Sequence, residues 1–61
     1  MSYRHVTTYL GPPGALIKAR VDRGRFWHRV TLLNGTTVMH RYYRRSSRAA
    51  QRVAARVLGA R

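Results

Sequence analysis

The sequence predicts an α+β fold: a small antiparallel three-stranded sheet, four-stranded if the N-terminal segment joins its edge, packed on one C-terminal helix. Three observations carry this. Ala15–Val21 and Phe26–Leu33 alternate apolar and polar residues with a period of two, the pattern of half-buried strands. Asn34-Gly35 stands between β-like runs, a hairpin signature. Ala50, Val53, Ala54, Val57 and Leu58 follow i, i+3, i+4, i+7, i+8, the apolar stripe of an amphipathic helix.

Residues 1–14 form an N-terminal arm or edge strand. Tyr3, Val6, Thr7, Thr8 and Tyr9 are good strand formers. Pro12-Pro13 then blocks both helix and central strand. Residues 15–61 form a β-β-β-α domain. In the first run Ile17, Ala19 and Val21 alternate with Lys18 and Arg20. In the second, Phe26, His28, Val30 and Leu32 alternate with Trp27, Arg29 and Thr31. A four-residue connection, Asp22 to Arg25, pairs Val21 with Phe26 and Ala19 with His28, which keeps the apolar sets on one face.

The third run spans about Thr36 to Tyr43. A two-residue turn would drive Arg41 onto the core face. A three-residue loop with a left-handed Gly35 puts Val38, His40 and Tyr42 there instead. The second register is expected, because a buried unpaired Arg costs more than a buried His. Ser46 or Ser47 caps the helix and Gly59 ends it at C′. His28 and His40 are read as core histidines.

Charge bounds the function. The 61-residue chain has thirteen Lys and Arg against one acid, Asp22, for a formal net charge of +12. One carboxylate cannot pair with thirteen cations, so a polyanionic partner is expected to neutralise the surface. Every cation but Lys18 is Arg. Guanidinium forks suit phosphate and guanine, and a GC-rich coding sequence would favour the same residue. Without cysteine there is no disulfide or cysteine-based zinc site. His5, His28 and His40 stand apart from any acid, so no metal or other cofactor is expected. Asp22, placed at a turn, is too little for acid–base or two-carboxylate chemistry, and catalysis is not expected. No apolar run approaches the ~20 residues of a membrane span, and MSYRHVTTYL lacks a long apolar signal core. The expected setting is the cytoplasm, the nucleoid or a virion.

The binding expectation rests on the sheet face opposite the helix. In the expected register it carries Lys18, Arg20, Trp27, Arg29, Thr31, Thr37, Met39, Arg41 and, at its end, Tyr43. A β-ribbon fits the DNA major groove, where Arg reads guanine and Thr packs on thymine methyls. Trp27 could also stack on unpaired bases. Arg23 and Arg25 in the first turn, and Arg44 and Arg45 before the helix, are read as phosphate anchors. Arg48, Arg52 and Arg56 recur every fourth residue, as a phosphate-tracking ridge or a solvated face.

The stretch RVDRGRFWHRVTLLNGTTVMHRYYRRSSRAAQRVAARVL resembles the three-stranded DNA-binding domains of plant AP2/ERF proteins and the arm-type-site domains of phage integrases. It shares an aromatic-rich second strand, a turn glycine and a Ser-capped, Ala-rich helix. The resemblance implies that Arg20, Trp27, Arg29 and Arg41 face the bases. Those families place acidic residues in the helix, where this chain has arginine. FWHRVTLLNG…SSRAAQRVAARVL also resembles the C-terminal half of a double-stranded-RNA-binding domain, which implies phosphate contacts by Arg44, Arg45 and Arg48. That family begins with a helix, for which Tyr3 to Leu10 is poorly suited. The expected partner is nucleic acid, DNA ahead of RNA. A virion or ribosome component, or a small phage-type protein on an acidic protein surface, is the other class consistent with the composition.

Overall fold

A computed structural model describes residues 2–59. The elements run β1 (Arg4–Leu10), β2 (Ile17–Arg23), β3 (His28–Asn34), β4 (Thr37–Arg44) and α1 (Ser47–Val57). The strands form one antiparallel meander in the order β1-β2-β3-β4. The N-terminal segment is therefore an edge strand, and the four-stranded alternative is the one found. The helix crosses one face, over β2, β3 and β4.

Small side chains set the core. Ala19 and Val21 of β2, Val30 of β3, and Ala50 and Ala54 of α1 are fully buried. Tyr9, Tyr42, Val53, Val57 and Leu58 pack around them. Alanine at the two fully buried helical positions lets the helix backbone lie close to the sheet. The helix ends follow from local chemistry. Ser46 Oγ accepts from the Ala49 N–H at 3.1 Å, satisfying a donor that the first turn leaves free. Gly59, at φ 83°, takes the left-handed position after the last turn, as expected.

Register is where the structure departs from expectation. Val21 pairs with Val30, not Phe26, and Ala19 pairs with Leu32, not His28. The slip is even, so the same residues of β2 still face the helix. The connection moves to Gly24–Trp27, closed by the Gly24 N–H donating to the Trp27 carbonyl at 2.8 Å. The observed register puts opposite charges face to face inside the ladder. Asp22 is not in a turn but on β2, directly opposite Arg29, where opposite charges attract across the ladder. Phe26 and Trp27 lie outside the ladder in this register.

The β3–β4 hairpin combines features of both registers considered. Asn34 pairs with Thr37 across a two-residue turn, Gly35-Thr36. Gly35 has φ 65° and Thr36 a negative φ, the sign pattern of a type II′ turn. The pairing then shifts by one residue between Leu32 and Leu33, with Met39 as the extra residue on β4. Beyond this bulge His40 and Tyr42 share the helix face with Leu32 and Val30, as expected. Before it Val38 lies opposite Leu33, on the helix-free face, contrary to expectation. Thr37 and Met39 consequently fall out of the helix-free row. The two histidines are not core residues. His40 is exposed and lies against Tyr42, with ring centroids 4.5 Å apart and planes tilted by 52°. His28 is half-buried, with Nδ1 3.3 Å from the Arg45 carbonyl oxygen. Among the described residues no helix is long and apolar enough to cross a membrane.

Candidate nucleic-acid interface

The helix-free face of β2, β3 and β4 carries Lys18, Arg20, Arg29, Thr31, Arg41 and Tyr43 in three adjacent rows. Asp22 organises its centre. One carboxylate oxygen accepts from Arg20 Nε at 2.9 Å and the other from Arg29 Nη2 at 3.3 Å. Asp22 is 2% exposed, so these two guanidinium bonds stand in for its lost hydration. Thr31 is buried between Arg20 and Arg41, its partners on either side. Arg20, Arg29 and Arg41 rim a shallow depression of about 220 Å³ whose floor includes Asp22 and Thr31.

These cations are not equivalent. Arg29 is held from two sides. Its guanidinium carbon lies 4.1 Å from the centroid of the Tyr3 ring, and its side chain is 24% exposed. Its Nε is buried without a hydrogen-bond partner. Arg20 is half exposed and spends Nε on Asp22. Lys18 is half-buried. Arg41 is exposed, and no ion pair occupies it among the described residues. It is the freest donor on this face.

Trp27 stands elsewhere than expected. It sits in the Gly24–Trp27 connection at one end of the sheet, beside Phe26. Arg25 lies over the Phe26 ring at 5.7 Å and Arg45 over the Trp27 ring at 4.9 Å. Arg23, Arg25 and Arg45 are all exposed at this end. Tyr3 reaches it from β1's N-terminal side. A Cβ at Gly24 would stand 2.6 Å from the Tyr3 ring, so the glycine lets the ring lie flat over the turn.

A third cationic group lies on the helix side. Arg44 of β4 and Arg52 and Arg56 of α1 line a polar cleft with Ala49 and Val53. Arg44 is steered by its own Nη1, which donates to the Tyr43 carbonyl at 2.8 Å. Arg48 is exposed on the first turn and does not line that cleft. The structure thus gathers Lys18, Arg20, Arg29 and Arg41 on one face, Arg23, Arg25, Trp27 and Arg45 at one end, and Arg44 and Arg52 along the helix.

Sequence reasoning missed Tyr3 and Phe26 as surface features. Phe26 had been counted with the core-facing set. In the observed register Phe26 falls in the turn and Asp22 pairs with Arg29. No three His, Cys, Asp or Glu side chains cluster as metal ligands among the described residues. Comparison with known protein families, curated proteins and solved structures finds no match to this chain.

Proposed function

We propose that this protein binds duplex DNA non-covalently, with the helix-free sheet face toward the major groove and the turn and helix arginines on phosphates. The observation that carries the reading is the row structure of that face. Strands lie about 4.8 Å apart, so the Lys18/Arg20 row and the Arg41 row flank the Arg29 row about 10 Å from edge to edge. A B-DNA major groove is about 12 Å wide, comparable with that span. Arg41 and Arg20 then reach base edges, and Thr31 lies between them. Arg23, Arg25, Arg44, Arg45, Arg48 and Arg52 lie outside that face, where the groove walls carry phosphates.

The lone acid supports the reading. Asp22 is consumed inside the sheet by Arg20 and Arg29, so no carboxylate side chain is left to repel phosphate. Nor is one free for acid–base work, and we assign the protein no catalytic role and no cofactor. The AP2/ERF and integrase resemblance points the same way: sheet to the groove, helix behind. Duplex RNA is the poorer fit, because its A-form major groove is too narrow to admit a side-chain-bearing ribbon. The N-terminal strand β1 also stands where the double-stranded-RNA-binding pattern has a helix. A cytoplasmic, nucleoid or virion setting accords with a DNA ligand.

Fluorescence anisotropy against duplex DNA, duplex RNA, a single strand and poly-glutamate, each at two salt concentrations, tests the reading. Duplex DNA is expected to bind tightest. Equal binding to poly-glutamate would replace it with an acidic protein partner.

A further inference from the structure

The chain's one Phe and one Trp are adjacent, and both lie outside the core. Phe26 is 71% exposed and Trp27 40%. The largest fully buried side chains are Val21 and Val30. A domain this small buries little apolar surface, so leaving its two largest apolar rings in water gives up stability that the core needs. The rings are not loose. Arg25 and Arg45 each cover one ring, and Tyr3 closes the side above Gly24. Between Tyr3, Gly24, Phe26 and Trp27 lies a hollow of about 180 Å³.

We propose that this end of the sheet is a stacking site for an unpaired nucleobase, resting on the duplex-binding reading above. Three features select that occupant. Aromatic rings and guanidinium planes are the two side-chain surfaces on which unpaired bases stack, and both are present in alternation. Arg25 lines the hollow, Arg45 lies over the Trp27 ring and exposed Arg23 precedes Gly24 in the chain, and a nucleotide brings a phosphate for each base it offers. The opposite end of the sheet makes the contrast. Leu10 and Leu16 are as exposed as Phe26, yet the hollow beside them has Lys18 as its one cation and no aromatic ring. Phe26 and Trp27 join the sheet face directly through His28 and Arg29, so a duplex seated on β2–β4 brings an extrahelical base within reach of the turn.

The test uses a short duplex with one extrahelical adenine and the same duplex with an abasic residue at that position. A single strand and its abasic counterpart form a second pair. Charge is equal within each pair, so any difference belongs to the base. The base-containing ligand is expected to bind about fivefold or more tightly in both pairs. Trp27, the chain's sole tryptophan, should change its emission more with the base than without it. Phe26→Leu keeps an apolar side chain but removes the ring face; it should abolish the preference, while Phe26→Tyr keeps it. Thermal melts of both variants should match the parent, since Phe26 is largely in solvent. Equal affinity for base-containing and abasic ligands, or a preference that survives Phe26→Leu, would overturn the proposal. Loss of binding to the fully paired duplex is read separately and would count against the sheet-face reading alone.

Discussion

Asp22 and Arg29 face each other across β2 and β3, with Asp22 Oδ2 accepting from Arg29 Nη2 at 3.3 Å while Arg20 takes the other oxygen. This pairing lies within the observed β2–β3 register, in which Phe26 and Trp27 fall in the turn, and Arg41 stays exposed with no ion pair among the described residues. A single carboxylate thus holds two of the arginines of this face.

Asp22→Ala should therefore be strongly destabilising. It leaves the Arg29 guanidinium three-quarters buried and facing Arg20 without a counter-charge. Breaking a buried pair costs about 3–5 kcal/mol, and the half-exposed Arg20 keeps the loss toward the lower end. A core this small rarely supplies more than roughly 3–5 kcal/mol in all. Circular dichroism should show most of the cooperative melt gone near room temperature. A melt within a few degrees of the parent would show that the pair does not hold the hairpin.

Helix docking is tested by adding bulk, not polarity. Ala54 is fully buried against the sheet. Ala54→Leu should cost about 1–3 kcal/mol by overpacking, a fall in Tm of roughly 4–8 °C per kcal/mol for a domain this size. The control, Ala55→Leu, changes an exposed position and should leave Tm nearly unchanged. An unchanged or raised Tm for Ala54→Leu would mean the helix does not lie close on β2 and β3.

Much of this was legible from spacing. The helix followed from Ser46, the stripe through Ala50 and Leu58, and Gly59. The strands followed from alternation, and Gly35 from the left-handed backbone its turn needs. Register was not legible from alternation, because shifting β3 by an even number of residues leaves the same side chains facing the helix. Asp22 meets an arginine in either register, Arg29 in Val21–Val30 and Arg25 across the turn in Val21–Phe26, so its charge does not choose between them. The bulge at Met39 was hidden for a related reason. One extra residue reverses the alternation of β4 midway, so Val38 and Tyr42 cannot both be placed by one period. The cationic face was legible as residues, and its internal division into a held Arg29 and a free Arg41 was not.

That division separates base reading from diffuse attraction. Arg41→Ala should weaken binding to a preferred duplex site by about 1–3 kcal/mol and affect other sequences less. Arg52→Ala, on the helix side, should lower affinity by a similar small factor on every sequence, as loss of one phosphate contact does. Competition anisotropy on several duplexes reads the contrast. If Arg52→Ala impairs site preference more than Arg41→Ala, the helix and not the sheet reads the DNA.

The most direct measurement is the affinity of the unmodified protein for duplex DNA across a salt series. With a formal net charge of +12 and its one acidic side chain occupied, the protein should neutralise several phosphates at once. For six contacts, log K should fall against log[salt] with a slope of about −5. A slope near zero would contradict the account, because binding would then owe nothing to the cations on which it rests.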